Sequence, residues 1–265
     1  MDGSVGQMQS EAKQGVKASN RVVILGALSA IAMATARLYA KEHAALVLVG
    51  RNADRLEALA ADLKARGAVQ VEIAAMDLEA EAPRAAQHLG DWSALMGGVD
   101  HVHVVYGYLG TQAAASADPV ELSRIVTSNF TSAVHWCEAA ANVLRRQKHG
   151  SLVVVSSVAG DRGRQSNYAY GAAKGGIALF VQGIAHALAG TGARAVAVKP
   201  GFVDTPMTDG LKKGGPMWAS ADQVGKALRR AADKGGPIQY APGKWRLVMG
   251  IIRAVPSFVF HKTKL

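Results

Sequence analysis

Short apolar runs alternate along most of this chain with longer stretches in which apolar residues recur every three or four positions. The short runs are rich in Val, Ile, Leu and Ala and end at glycine or a polar residue, which is typical of buried parallel strands. They cover residues 21–26, 45–50, 69–75, 101–105, 150–157, 193–199 and 237–241. The longer stretches have the spacing of amphipathic helices. Because the two alternate, the sequence predicts an α/β fold with a doubly wound parallel sheet, helices on both faces and ligands at the carboxyl ends of the strands.

The predicted helices fill the intervals between these strands, and the clearest of them cover residues 53–66, 81–96, 119–146 and 221–234. A chain of 265 residues that is 49% hydrophobic can bury one large core, and no Pro/Ser-rich linker divides it. We therefore predict a single domain over residues 20–242. A flexible polar extension precedes it at residues 1–19, and a basic amphipathic tail follows at residues 243–265.

Cysteine and histidine usage limits the chemistry. A single cysteine, Cys137, rules out an internal disulfide and a cysteine-based metal cluster, and its apolar helical surroundings predict a packed core residue. His101 and His103 alternate on a predicted strand without a third ligand nearby, so we expect no metal site. Residues 1–19 lack the apolar core of a signal peptide, and no apolar run reaches the roughly 20 residues of a spanning helix. These features predict a cytoplasmic protein.

The formal net charge of +10 is compatible with an anionic ligand, a membrane surface or nucleic acid. Aromatic residues make up 6% of the chain, and no basic helix or stacking platform is present, so we predict no nucleic-acid partner. Residues 244–265 mix apolar and basic side chains and are too short and too charged to cross a bilayer. They predict peripheral contact with an anionic surface at the inner face of the membrane. The alternative is packing on the body or on a second subunit.

A tight turn at Gly26 joins the first predicted strand to the first helix. This arrangement places free N–H groups and a helix dipole where a phosphate binds, as in a Rossmann-type dinucleotide fold. Arg51 follows the second strand, at the position where an acid contacts the ribose of NAD and a cation accommodates the 2′-phosphate of NADP. We therefore predict NADP(H) rather than NAD(H), the alternative being an exposed arginine that opens the next helix. Asp77 follows the third strand, where it faces a ligand or caps a helix.

The candidate catalytic residues lie around the fifth predicted strand. Tyr170 and Lys174 are four residues apart on a predicted helix, so both side chains lie on one face. The ammonium is expected to lower the pKa of the phenol from about 10, which suits acid/base chemistry on ketones and alcohols. Ser157 precedes them at the end of its strand. Asn129 lies inside the predicted helix 119–146, where a buried amide needs either a structural or a functional hydrogen bond.

These motifs, in this order and spacing, resemble the short-chain dehydrogenase/reductase family over residues 20–242. The resemblance implies that Tyr170 exchanges the proton, Ser157 holds the substrate oxygen, and Lys174 lowers the tyrosine pKa and binds the nicotinamide ribose. Asn129 would hold a water in the proton relay. The cofactor would contact Gly26, Ser29 and Ile31 at the turn, Asp77 and Leu78 near the adenine, and Pro200, Gly201, Val203 and Thr205 near the nicotinamide. A homodimer or homotetramer is expected for the same reason.

Two segments depart from the family pattern. The glycine turn at residues 25–32 keeps only its first glycine, because Ala30 and Ala32 replace the other two. Their methyl groups are expected where backbone and pyrophosphate approach each other. The family's Asn-Asn-Ala-Gly loop after the fourth strand is Val-Val-Tyr-Gly at residues 104–107.

A narrower resemblance, to reductases of decaprenylphosphoryl 2-keto-pentose, is carried by residues 106–110, 156–164, 167–174 and 240–249. It implies a lipid-linked keto sugar as substrate. Arg162 and Arg164 flank the catalytic loop, where they hold a phosphate or remain solvated. The glycine-rich stretch 208–220 is expected to be mobile enough to close over a substrate. The alternatives are a reductase of carrier-bound 3-oxoacyl chains and a nucleotide-binding regulator without catalysis.

Overall fold

Seven parallel strands form the centre of the computed structural model, which describes residues 18–210 and 214–263. In chain order the strands of this central sheet and of a small second sheet are β1 (Arg21–Leu25), β2 (Ala45–Gly50), β3 (Gln70–Ala75), β4 (His101–Val104), β5 (Gly150–Val155), β6 (Ala193–Pro200), β7 (Phe202–Asp204), β8 (Trp218–Ser220) and β9 (Ile238–Ala241). The central sheet has the order β3-β2-β1-β4-β5-β6-β9, and β7 pairs with β8 separately. The predicted parallel α/β sheet is confirmed. Residues 1–17 of the predicted extension 1–19 lie outside the described residues. So do residues 211–213 of the glycine-rich stretch 208–220.

The helices cover both faces of the sheet. They are α1 (Ala30–Lys41), α2 (Ala53–Ala65), α3 (Ala85–Met96), α4 (Gln112–Ala117), α5 (Pro119–Val126), α6 (Ser132–Gln147), α7 (Tyr168–Ala187), α8 (Ala221–Lys234), α9 (Trp245–Ala254) and α10 (Ser257–Phe260). Helices α1, α2 and α8 pack on one face, and α3, α6 and α7 pack on the other. The strand order therefore reverses between β1 and β4, and a ligand crevice is expected outside their carboxyl ends.

The prediction of a single helix over residues 119–146 is wrong in one respect. Residues Thr127–Thr131 form a π-helical segment between α5 and α6. The Asn129 side chain donates to the carbonyl of Ile125 at 2.8 Å. In an α-helix that carbonyl would accept from the backbone N–H of Asn129 itself. The Asn129 side-chain amide therefore replaces the Asn129 backbone N–H as the donor to the Ile125 carbonyl.

The large core on the α3, α6 and α7 face is organised around Trp136. This side chain is fully buried, stacks on Trp92 with ring centroids 5.9 Å apart, and donates through Nε1 to the carbonyl of Leu78 at 2.8 Å. Cys137 beside it is also fully buried, which confirms its predicted place in the core. A buried thiol among apolar side chains has its pKa raised and remains protonated.

The two histidines of β4 lie in the interior beneath α1 and α8. His103 Nε2 lies 2.8 Å from the Tyr39 hydroxyl, and His101 Nδ1 lies 2.8 Å from the Ser151 hydroxyl. Both imidazoles are buried, as expected for packed strand histidines. Burial lowers the pKa of His101 to about 4 and that of His103 well below its usual range. The charged groups that face them are Arg229, Asp233, Asp100 and Arg194.

We expect folding stability to fall as the pH is lowered through this cluster. Between about pH 6.5 and pH 4, His101 is protonated in the unfolded chain but stays neutral in the folded protein. Lowering the pH therefore favours unfolding. His101 alone should then lower the free energy of unfolding by about 3 kcal/mol at pH 4. Urea unfolding at pH 7 and at pH 4.5 measures how steeply this free energy changes with pH. The variant His101→Gln should show a shallower slope, whereas the exposed His186→Gln should match the wild type. Equal slopes in all three proteins would contradict this.

Candidate active site

A cavity of about 630 Å³ opens at the carboxyl edge of the sheet, where the strand order reverses. Most of its lining comes from the segments that follow β1, β4, β5 and β6. It contains many of the residues singled out in the sequence, namely Ser29, Ile31, Ser157, Tyr170, Lys174, Pro200, Gly201, Val203 and Thr205. The parallel sheet therefore brings residues far apart in the chain to one cavity.

Tyr170 and Lys174 lie one turn apart at the start of α7, and Ser157 faces them from the end of β5. The Lys174 ammonium lies 5.9 Å from the centroid of the Tyr170 ring and donates to the carbonyl of Val155 at 3.0 Å. The Ser157 hydroxyl accepts from the N–H of Ala159 at 3.1 Å and lies near enough to the Tyr170 phenol to influence its pKa. A carbonyl oxygen between Ser157 and Tyr170 would thus find two hydroxyl groups.

Close backbone packing sets this geometry. The turn after Ser157 rests directly on α7, because Gly160 and Gly175 meet without side chains. A Cβ on Gly160 would lie 2.5 Å from the backbone nitrogen of Gly175. The Ser156 hydroxyl also donates to the Lys174 carbonyl at 2.7 Å. A larger residue at either glycine would separate Ser157 from Tyr170.

The electrostatics differ from the sequence prediction. Burial raises the pKa of Tyr170 to about 12, although the Ser157 hydroxyl opposes the shift. The net pKa is therefore raised where the sequence pattern favoured a lowered one, because desolvation of the phenol is the largest effect on it. Burial also lowers the pKa of Lys174 to about 8. Near neutral pH the site therefore holds a protonated phenol beside a cation.

Asn129 lies behind this pair rather than on the cavity wall. Its amide donates to the carbonyls of Tyr108 and Ile125 at 2.6 and 2.8 Å, and its Oδ1 accepts from the N–H of Tyr108 at 3.2 Å. A Cβ on Gly107 would lie 2.5 Å from Oδ1 of Asn129 and 3.2 Å from Nζ of Lys174. These bonds are structural, and they place the amide oxygen close to Lys174. The water-holding role stays a prediction.

The turn after β1 has the form required to hold a phosphate. Gly26 has φ +82°, and a Cβ there would lie 2.7 Å from that of Tyr106. Ser29 caps α1 by accepting from the N–H of Ala32 at 3.2 Å. The N–H groups of Ala30 and Ile31 in the first turn have no intrahelical acceptor, and both residues line the cavity. The Ala32 methyl is fully buried in the core, so it leaves this opening free.

Tyr106 stands at the alanine position of the family's Asn-Asn-Ala-Gly pattern, after Val104 and Val105 in place of the two asparagines. Its hydroxyl lies 3.0 Å from that of Ser132, and its ring packs on the α3, α6 and α7 core. The Val105 N–H donates to the carbonyl of Leu25 at 2.9 Å. The altered loop is therefore anchored between β1 and α6.

Four predicted cofactor residues, namely Gly26, Arg51, Asp77 and Leu78, are not among those that line the cavity. Arg51 is exposed just after β2. Asp77 is exposed and accepts from the N–H of Glu79 at 2.8 Å, and Leu78 is buried in the core. Arg55, four residues after Arg51 and one turn into α2, does line the cavity. Sequence reasoning missed it, although the i, i+4 spacing from Arg51 was a usable signal.

The predicted tail packs on the body through one face of α9. Trp245 and Met249 are buried, and a side chain on Gly201 would overlap the Trp245 ring. Arg162 donates to the carbonyls of Ile252, Arg253 and Val255 at the end of α9. Its Nη1 therefore caps the C-terminal end of α9.

The residues present fit a dinucleotide cofactor. The glycine turn, the open N-terminus of α1 and the cavity dimensions supply a phosphate cradle, and Lys174 and Thr205 lie farther along the same wall. Among residues 18–210 and 214–263, no group of three or more His, Cys, Asp or Glu side chains is arranged to hold a metal ion. Within that same part of the chain, no helix has both the length and the apolar character needed to cross a bilayer.

Known proteins share this sequence and fold. The family profile described as short chain dehydrogenase matches residues 20–215. An uncharacterized oxidoreductase of Mycobacterium tuberculosis is 37% identical over 244 residues, covering 91% of this chain and 96% of that protein. An uncharacterized oxidoreductase of Streptomyces coelicolor is 36% identical over 243 residues, with 91% and 94% covered.

The fold has a solved counterpart as well. The structure of a short-chain type dehydrogenase/reductase from Mycobacterium ulcerans superposes with a TM-score of 0.76 at 19% identity, covering 86% of this chain and 90% of that one. The profile match, the two relatives and the catalytic geometry agree. The chain belongs to the short-chain dehydrogenase family and is an NAD(P)-dependent oxidoreductase.

Proposed function

We propose that this protein reduces a ketone to a secondary alcohol with NADP(H). The observation that carries the proposal is the Tyr170 phenol, which burial keeps protonated beside Ser157 in the cavity. NADPH, when bound, supplies the hydride that adds to the carbonyl carbon. The electron pair of the C=O bond moves to oxygen, Ser157 stabilises the developing charge, and Tyr170 gives its proton to that oxygen. Near neutral pH the phenol is therefore in the protonated form that reduction requires.

The preference for NADP(H) rests on two arginines at the cofactor end. Arg51 follows β2, and Arg55 extends from α2 into the cavity lining. Both are exposed, so they are available to a 2′-phosphate. Asp77, which is exposed after β3, would lie at the adenine, and Lys174 would hold the nicotinamide ribose.

For the substrate we propose a hydroxylated ketone, with a lipid-linked keto sugar as the first class to test. Oδ1 of Asn167, which lines the cavity, is buried without a hydrogen-bond donor. A substrate hydroxyl would satisfy it. Apolar side chains, including Leu109, Phe202 and Met207, form much of the remaining wall and suit an apolar aglycone.

The tail supports a proposal of peripheral membrane contact. On α9 and α10, Leu247 and Phe258 are 72% and 71% exposed, and Ile251 and Val259 are exposed beside them. Basic residues of the same segment would favour an anionic surface at the inner face of the membrane. The competing use of this apolar surface is contact with a second subunit in a homodimer or homotetramer.

Titration with NADPH and NADH, followed by nicotinamide fluorescence, tests the cofactor half of the proposal. We expect tight NADPH and weak NADH binding. NADPH oxidation with a glycolipid ketone and with a 3-oxoacyl thioester then tests the chemistry. Reduction of the thioester alone would favour the carrier-linked alternative, and binding of neither nucleotide would favour a regulator.

A further inference from the structure

Arg164 has no anionic partner among the residues that the structure describes. It lies in the loop between β5 and α7 and lines the cavity that contains Ser157 and Tyr170. Its Nε is buried without an acceptor, and its Nη2 approaches only the Met249 sulfur, at 3.6 Å. Desolvation lowers the pKa of this guanidinium, but an arginine remains charged at neutral pH.

The neighbouring charges do not compensate it. Asp161, the carboxylate that acts on Arg164 electrostatically, is buried in an ion pair with Lys199 and accepts from the Tyr240 hydroxyl at 2.8 Å. Within residues 18–210 and 214–263, no carboxylate forms a salt bridge with Arg164. A half-buried guanidinium with unused donors costs free energy unless a ligand occupies them.

Other part-buried arginines of this protein are compensated. Arg21 pairs with Asp100 at 2.8 Å, and Arg229 pairs with Glu42 at 2.8 Å and with Asp233 at 2.6 Å. Arg162, two residues before Arg164, gives its donors to the end of α9. Arg164 differs from all three because it lines the cavity while its Nε has no acceptor among the residues that the structure describes.

The position of Arg164 separates it from the cofactor end. The proposed cofactor anions lie at the N-terminus of α1 and beside Arg51 and Arg55. Arg164 belongs instead to the segment that also supplies Ser166 and Asn167 to the wall, between Ser157 and Tyr170 in sequence. We infer that Arg164 binds an anionic group, a phosphate or a carboxylate, on the ketone substrate. This inference rests on the proposed reduction for its substrate but not for its anion site.

Ligand binding tests the anion site without turnover. Hexyl phosphate, hexanoate and hexanol would be titrated into the NADPH-saturated protein by calorimetry. We expect an anion to bind and hexanol to bind far more weakly. The anion that binds more tightly shows whether the site takes a phosphate or a carboxylate. Arg164→Gln should lower the affinity for that anion by about 10- to 100-fold, since a charge-assisted pair is lost. Arg164→Lys should retain part of the affinity, and the exposed Arg230→Gln, with the same change in charge, should retain all of it.

Turnover then separates this inference from the proposed function. The ratio of kcat/KM for 4-phosphooxy-2-butanone over 4-hydroxy-2-butanone should fall in Arg164→Gln by a similar factor. If neither ketone is reduced but the anion still binds through Arg164, the reduction proposal fails and the anion site stands. If the anions bind equally to wild type, Arg164→Gln and Arg164→Lys, or do not bind at all, the inference is overturned.

Discussion

Tyr170→Phe should lower kcat for ketone reduction by about 100- to 10,000-fold, the usual contribution of a positioned general acid. The substitution removes only the hydroxyl that gives the proton, so NADPH binding should stay nearly intact. Stopped-flow oxidation of NADPH and nicotinamide fluorescence measure the two quantities separately.

Tyr168 offers a matched control on the same helix. It is two residues away, 52% exposed, and its hydroxyl lies 3.2 Å from that of Ser116 outside the cavity wall. Tyr168→Phe should keep kcat within about twofold, as expected of a surface substitution. Equal activity of Tyr170→Phe and Tyr168→Phe would refute the proton-transfer role.

The pKa values of the site also fix the pH profile of the wild type. Tyr170, with a pKa of about 12, stays protonated over the working range, whereas Lys174 loses its charge as the pH rises through about 8. The reduction rate should therefore be level below pH 8 and fall above it. A rate that rises between pH 7 and pH 9 would contradict the assignment of protonated Tyr170 as the proton donor.

Replacing both Arg51 and Arg55 with Glu should lower the affinity for NADPH by at least about 100-fold, because each hydrogen bond to a charged group contributes about 1.5–3 kcal/mol. NADH, which has no 2′-phosphate, should bind the double Glu variant about as well as the wild type. Fluorescence titration with both nucleotides gives the two dissociation constants.

Lys64→Glu is the control for charge on α2, since Lys64 is exposed near the end of the helix away from the cavity. It should leave both constants unchanged. A parallel loss of NADPH and NADH affinity in the double variant would mean that these arginines support the fold rather than the 2′-phosphate.

Local patterns were sufficient for the frame of this protein. The bounds of β2 and α8 agree with those predicted, because each is a continuous pattern bounded by its own signals: β2 ends at Gly50, and Ser220 caps α8. The site residues after β5 and β6 could also be placed, since parallel strands send their carboxyl ends to one edge.

Features that depend on tertiary contacts were not predictable. The pKa of Tyr170 follows from how completely the fold buries the phenol, which the four-residue spacing to Lys174 does not reveal. The partners of Arg162 lie 90 and more residues later in the chain. The π segment at Asn129 arises because a side chain competes with the backbone, and the apolar periodicity of the helix conceals it.

The support of Gly201 and Arg164 by α9 has a consequence for biosynthesis. The strands that carry Ser157 and Thr205 emerge from the ribosome well before Trp245 and Met249, which pack behind two parts of the cavity wall. A nascent chain can therefore pair β1 to β6 while its cavity is unfinished. Newly made protein should gain catalytic competence only after the segment around residue 249 has left the exit tunnel.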